Sequence, residues 1–206
     1  MGCGAGHFVY ACLERGIQAK GFDVNLKSVA FGNENIGAEF SEKAALTHLL
    51  SDEFYSKIIT SKAHVLSDLG VIEHLREPQK LIEAFRLSQI KYLYFLVPMY
   101  SAAVIFENMF PNTYPRLLSG GHTHLFTNQS IAWLLRTNNL ESIAEWRFGA
   151  DAMDLYRAIL VNLRSNGSSE KHLQMVSAFF QNEIDGFQHI FDRAHMCSEI
   201  HCLVTK

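Results

Sequence analysis

Near the start of the chain, Gly2-Cys3-Gly4-Ala5-Gly6 sets three glycines at alternate positions ahead of a helical pattern. Glycine lets a backbone turn tightly, and its missing side chain lets a ligand lie against bare main chain at a helix N-terminus. A dinucleotide fingerprint has the spacing G-x-G-x-x-G. Here the third glycine comes one residue early and His7 stands where the fingerprint wants it, which favours a ligand without a pyrophosphate. Asp23, in the run GFDVN, follows one helix and one strand later. A carboxylate at the end of that strand accepts hydrogen bonds from both hydroxyls of a ribose. An ordinary loop aspartate is the plainer alternative.

Histidines supply the other candidate chemistry. Their ordinary pKa of about 6.5 suits them to take a proton from an alcohol or phenol. His74 follows Glu73 directly, just beyond a predicted strand, and His122 and His124 follow a Gly-Gly turn. An H-x-H pair on a strand puts both rings on one face, a partial metal motif. No third ligand stands near it in sequence, so no metal is expected, and a substrate-facing or loop-ordering role is. His189, His195 and His201 read as surface or satisfied core residues. Cys3 sits inside the glycine segment, where its small side chain explains it.

Turn residues and apolar spacing then divide the chain into alternating elements. Helical spacing at Val9, Cys12 and Leu13 stops at Gly16, and residues 17–22 read as a short strand. A helix begins at Leu26. Residues 44–50 and 64–69 read as strands around a short helix at 54–59. Pro78 opens a helix whose stripe is Leu81, Ala84, Phe85 and Ser88. Residues 91–97, KYLYFLV, form the clearest strand, apolar enough for burial on both faces. Residues 98–121 break the rhythm as a loop-like insert, with Met99, Tyr100, Phe106, Phe110 and Tyr114 as one wall of a substrate pocket or as core packing. Thr127 is an N-cap for the next helix. A strand at 140–147, two long amphipathic helices and a closing strand at 200–204 complete the chain. This alternation points to a parallel α/β sheet covered by helices, with ligands at the carboxyl ends of its strands.

At 206 residues and 48% hydrophobic composition the chain fits one domain with a substantial core. A net charge of -3 gives no basic field to hold nucleic acid. The four cysteines include no C-x-x-C pair and suit a cytoplasmic protein with reduced thiols. The longest apolar run is broken by Pro98 and Ser101, so no membrane span is expected.

The segments GCGAGHF, GFDVN and LGVIEHLREPQKLIEAFR, in this order, resemble the class I S-adenosylmethionine-dependent methyltransferases. The likeness covers roughly residues 2–97. The later GGHTHLFTNQSIAWLL is similar to the segment before the sixth strand of small-molecule members. EWRFGADAMDLYR and SEIHCLVTK are similar to members that modify bacterial surface polysaccharides and sugars. The resemblance implies a Rossmann-like α/β fold with a mostly parallel seven-stranded sheet, order 3-2-1-4-5-7-6, helices on both faces and the seventh strand antiparallel. It divides the single domain, 1–206, into a cofactor half at 1–97, the insert at 98–121 and a substrate half at 122–206. It also implies a cofactor, S-adenosylmethionine. Gly2, Cys3, Gly4, Ala5 and Gly6 would pass its amino-acid part, Asp23 would hold its ribose, and Val24 would pack on its adenine. Leu69 and Gly70 would line the floor near the sulfonium. Asp52 would meet the adenine amino group or be a solvated loop residue.

The expected acceptor is a small polar or sugar-type molecule with an oxygen nucleophile. His124, His122 and His74 are the candidate catalytic residues. In the family, the Glu-His pair often builds the site rather than taking a proton. Neither nucleic acid nor membrane is an expected partner. The family's glycine motif follows a hydrophobic strand, whereas this chain starts at Met1. The expectation is therefore a first strand missing from the sheet, with a loss of stability and of cofactor binding. A nicotinamide-dependent oxidoreductase and a non-catalytic protein of the same fold are the rival readings.

Overall fold

The computed structural model describes residues 1–40, 45–118 and 121–206. The chain runs α1 (His7–Glu14), β1 (Gly21–Asp23), α2 (Leu26–Phe31), β2 (Leu46–His48), α3 (Glu53–Ile59), β3 (Val65–Leu69), α4 (Pro78–Leu87), β4 (Tyr92–Pro98), α5 (Ala102–Met109), α6 (Asn128–Thr137), β5 (Glu141–Phe148), α7 (Asp151–Ser165), α8 (Glu170–Arg193) and β6 (Glu199–Thr205). Local chemistry sets several boundaries. Asn25 caps α2 by accepting from Ser28 N–H, and Pro78 opens α4. Thr127 and Ser130 form a reciprocal capping box at α6. The stripe Leu81, Ala84, Phe85 and Ser88 is buried, together with Ile82.

Strands form two sheets, one ordered β1-β2 and one ordered β3-β4-β6-β5. β1 and β2 are parallel, with Gly21 opposite Leu46 and Asp23 opposite His48. β5 and β6 are antiparallel from Glu141 opposite Thr205 to Phe148 opposite Glu199. The architecture is therefore α/β, and the strands keep the expected order without its first strand: six strands in two sheets among the described residues, rather than one seven-stranded sheet. The physical reason lies in residues 1–3. The Met1 nitrogen donates to Ser67 O in β3, and Cys3 N–H donates to Phe22 O in β1. These are single bonds on each side where a strand would make a ladder.

Two further expectations change. β4 buries Leu93, Phe95 and Val97 completely, while Tyr92, Tyr94 and Leu96 are half-buried, so only one of its faces is sealed. The insert at 98–121 contains helix α5, capped by Ser101 and packed through Ala102, Ala103 and Val104. Of its aromatics, Phe106 meets Phe191 edge-on, while Tyr100 and Tyr114 are exposed. Ala44 and Gly120, within the expected second strand and the Gly-Gly turn, lie outside the described residues.

Two compact units are present. The first comprises residues 1–72, 77–95 and 206, and the second residues 73–76 and 96–205. The first has a core around Val9, Tyr10, Val29, Ala45 and Leu46. In the second, α7 and α8 stack Tyr156 on Phe180 and Phe180 on Phe187, with centroids 5.1 and 5.5 Å apart.

Candidate functional site

In the first unit the glycine segment is a chain of left-handed residues. Gly2, Gly4 and Gly6 have φ of 62°, 52° and 83°. An L side chain resists this region. A Cβ on Gly6 would lie 2.6 Å from the buried Leu46 side chain, whereas one on Gly4 would meet nothing within 4 Å. Gly4 therefore presents bare backbone to open space, which is what a close-lying ligand needs. Gly6 N–H closes the turn on Cys3 O at 2.8 Å. α1 then begins without a side-chain cap, leaving first-turn N–H groups for a ligand.

Asp23 pins this segment. Its Oδ2 accepts from Gly4 N–H at 2.7 Å and its Oδ1 from Asn25 N–H at 2.8 Å. A carboxylate offers about four lone-pair sites, so two bonds leave room for two more. Val24 beside it is 53% exposed. Leu69 is half-buried at the end of β3, and Gly70 turns the chain at φ 71°. Burial and the nearby Asp23 charge push the Cys3 thiol up to about 11, which keeps it protonated and no nucleophile. Asp52 is exposed at the start of α3 and makes no capping bond. Asp68, fully buried, accepts from Ile72 N–H and so shapes the turn after β3. Nothing in its sequence surroundings sets it apart from a solvated aspartate.

The histidines lie in the second unit. Glu73 and His74 occupy one short 3-10 turn, Ile72–His74. The segment holding His122 and His124 is not a strand, which corrects the one-face reading of the pair. Its fold is set by Thr123, whose N–H and hydroxyl both donate to Glu73 O, at 2.8 and 2.6 Å. This stitching brings His122 against His74, with ring centroids 4.9 Å apart. His124 is separate and lies 6.3 Å from Phe126, centroid to centroid.

The ring nitrogens have definite roles. His74 Nδ1 is 3.1 Å from Gly121 O, and His122 Nδ1 is 3.0 Å from Leu117 O. Carbonyls only accept, so both Nδ1 atoms carry hydrogen, and each neutral ring presents a bare Nε2 lone pair. Thr123 gives its one proton to a carbonyl, so its oxygen accepts from His124 Nδ1 at 2.8 Å and the same tautomer follows. Glu73 is 3% exposed. Its Oε1 lies 3.9 Å from His74 Nε2, and its Oε2 has no hydrogen-bond partner. Burial raises the Glu73 carboxyl above its ordinary value, and a backbone N–H and the two imidazoles draw it only partly back. The pairing of Glu73 and His74 with His122 left no trace in sequence, because 48 positions separate His122 from His74.

A family model described as "Methyltransferase domain" matches residues 1–145. No curated protein sequence matches the chain. Among solved structures, a SAM dependent methyltransferase from Archaeoglobus fulgidus is 16% identical with a TM-score of 0.57, covering 100% of this chain and 83% of that one. Magnesium protoporphyrin IX methyltransferase from Synechocystis PCC 6803, with SAH bound, is 11% identical with a TM-score of 0.57, covering 100% and 71%. The plantazolicin methyltransferase, in complex with a triazolic desmethylPZN analog and SAH, is 12% identical with a TM-score of 0.58, covering 100% and 74%.

Proposed function

The chain belongs to the methyltransferase domain family, and from that premise we propose that it uses S-adenosylmethionine to methylate an oxygen of a small polar, sugar-type acceptor. The observation that carries this reading is the Asp23 carboxylate bound to Gly4 N–H at 2.7 Å, at the end of β1. It fixes a bare glycine backbone and an anionic acceptor pair side by side, and the residues present fit the cofactor. The free lone pairs of Asp23 suit ribose hydroxyls. Val24, half out in solvent, offers an apolar face to the adenine. Gly2 to Gly6 would pass the amino-acid part, with Leu69 and Gly70 as the floor. S-adenosylmethionine, when bound, supplies the methyl group as an electrophilic sulfonium.

The chain's own work is then positioning and proton removal. The bare Nε2 lone pairs of His122, His124 and His74 each suit taking a hydroxyl proton. Their Nδ1 hydrogen bonds fix the rings for that task. Glu73 and His74 follow Gly70 by three and four residues in the chain.

Calorimetric titration with S-adenosylhomocysteine and with NADH tests the reading. Saturable binding of the first alone is expected. Asp23→Ala should weaken it by on the order of 1–3 kcal/mol, the cost of unpaired hydrogen-bonding groups. Binding of NADH instead, or an unchanged affinity in Asp23→Ala, overturns the assignment. Binding without methyl transfer to any hydroxylated acceptor would favour a non-catalytic member of the fold.

A further inference from the structure

We propose that Glu73, His74 and His122 form a binding site for a divalent transition metal of the zinc type. Their ligand atoms all lie within 4.8 Å of one another. Two imidazole nitrogens and one carboxylate oxygen are a donor set that zinc, and also iron or manganese, accepts with positions left open.

Two independent features of the cluster point to a cation. The Nδ1 atoms of both imidazoles are committed to backbone carbonyls, Gly121 O and Leu117 O. That arrangement orients a metal-binding histidine and leaves Nε2 as the donor. The second feature is Glu73, 3% exposed and with an oxygen that no protein donor reaches. A buried carboxylate oxygen without a partner is costly, and a bound cation removes the cost. The two combine at one point. With the imidazoles in their neutral form, the two Nε2 atoms and the carboxylate offer acceptors on every side and no hydrogen between them. Only a proton or a metal ion satisfies all three.

Zinc bonds to nitrogen and oxygen measure about 2.0–2.2 Å, so the three donors must draw together around the ion. His74 can supply this movement, because its side chain is 43% exposed. The cluster was out of reach of the sequence because the neighbour of His122 in the chain is His124, whereas its neighbours in space are Glu73 and His74.

The proposal concerns metal binding and stands apart from the methyl-transfer reading, since all three residues can hold an ion whatever the cofactor. If that reading also holds, the ion takes the Nε2 lone pairs of His74 and His122, leaves His124 as the residue to take the proton, and with open positions would lower the pKa of a bound acceptor hydroxyl.

The test is calorimetry on the chelator-treated protein with zinc, and then with cobalt, whose visible absorption reports its ligands. One ion per chain is expected. Glu73→Gln and His122→Ala should each weaken binding by at least about tenfold. Circular dichroism identifies variants that fail to fold, and His74→Gln, at a half-exposed position, provides a further folded variant. Exposed His189→Ala should bind the ion like the parent. Absence of stoichiometric binding overturns the site. So does binding that survives Glu73→Gln and His122→Ala in folded protein, because other histidines then hold the ion. Loss of S-adenosylhomocysteine binding with metal binding intact would instead remove only the function proposed above.

Discussion

Asp23 and Asp151 each accept two backbone N–H bonds, yet they stand in opposite kinds of surroundings. Asp23, half-buried, holds Gly4 and Asn25 beside a backbone turned into left-handed conformations and open space. Asp151 is completely buried. It ties Ala103 N–H at 3.1 Å and Ser198 N–H at 2.7 Å, so that α5, α7 and the start of β6 meet on one carboxylate. A similar contrast separates two buried acids of the second unit. Asp154 takes two bonds from Arg116 and an ion pair from Arg157, whereas Glu73 keeps one oxygen without any partner. Counting hydrogen bonds therefore does not distinguish a structural acid from a ligand-facing one. The lone pairs left over, and what they face, do.

The largest effect that would break this comparison belongs to Asp151. Asp151→Ala leaves Ser198 N–H buried and unpaired, at about 1–3 kcal/mol, and removes one of the two acceptors of Ala103 N–H, which keeps Ser101 Oγ. A stability loss on the order of 2–4 kcal/mol is expected by urea denaturation. A loss below about 1 kcal/mol would mean that water reaches the site and that Asp151 is no structural hub. Gly6→Ala comes next. A side chain in the left-handed region costs about 1–2 kcal/mol, and the new Cβ also meets Leu46, which is 3% exposed. The expected outcome is a lower thermal midpoint together with weaker S-adenosylhomocysteine binding. Weakened stability with intact affinity would separate the glycine turn from the ligand site.

Much of the fold was legible in sequence because it rests on local chemistry. Pro78 and Thr127 mark helix starts through a fixed φ and a side-chain cap, and the α4 stripe follows from 3.6-residue periodicity. β1 shrank from the expected residues 17–22 to Gly21–Asp23 because only three of its residues find a partner in β2. α5 was hidden by the prolines and aromatics around it, though Ser101 is a good N-cap in hindsight. At the candidate site, the glycines and Asp23 were readable because their roles depend on backbone geometry and on position after a strand. The Glu73–His74–His122 cluster was not, because Thr123 assembles it through bonds to a carbonyl about 50 residues away.

The smallest effect concerns His201, a buried polar group of the second unit that serves structure rather than ligand. Its ring stacks between Trp146 and Phe148, at centroid distances of 4.5 and 4.8 Å and interplanar angles of 11° and 24°. Burial lowers its pKa below the usual histidine value. The native state then binds fewer protons than the unfolded chain between the lowered value and about 6.5, so stability rises with pH across that window. Conversely, stability is fully present above the ordinary histidine value and is lost as pH falls toward the lowered one, where the buried ring must charge. His201→Phe keeps an aromatic ring between Trp146 and Phe148 and removes the titration. Urea midpoints measured from pH 7.5 to pH 5 should therefore fall less steeply in His201→Phe than in the parent. Parallel curves would mean that water solvates the charged ring and that the β5–β6 face is open. In that case the contrast between a sealed structural unit and an open ligand loop would not extend to this sheet.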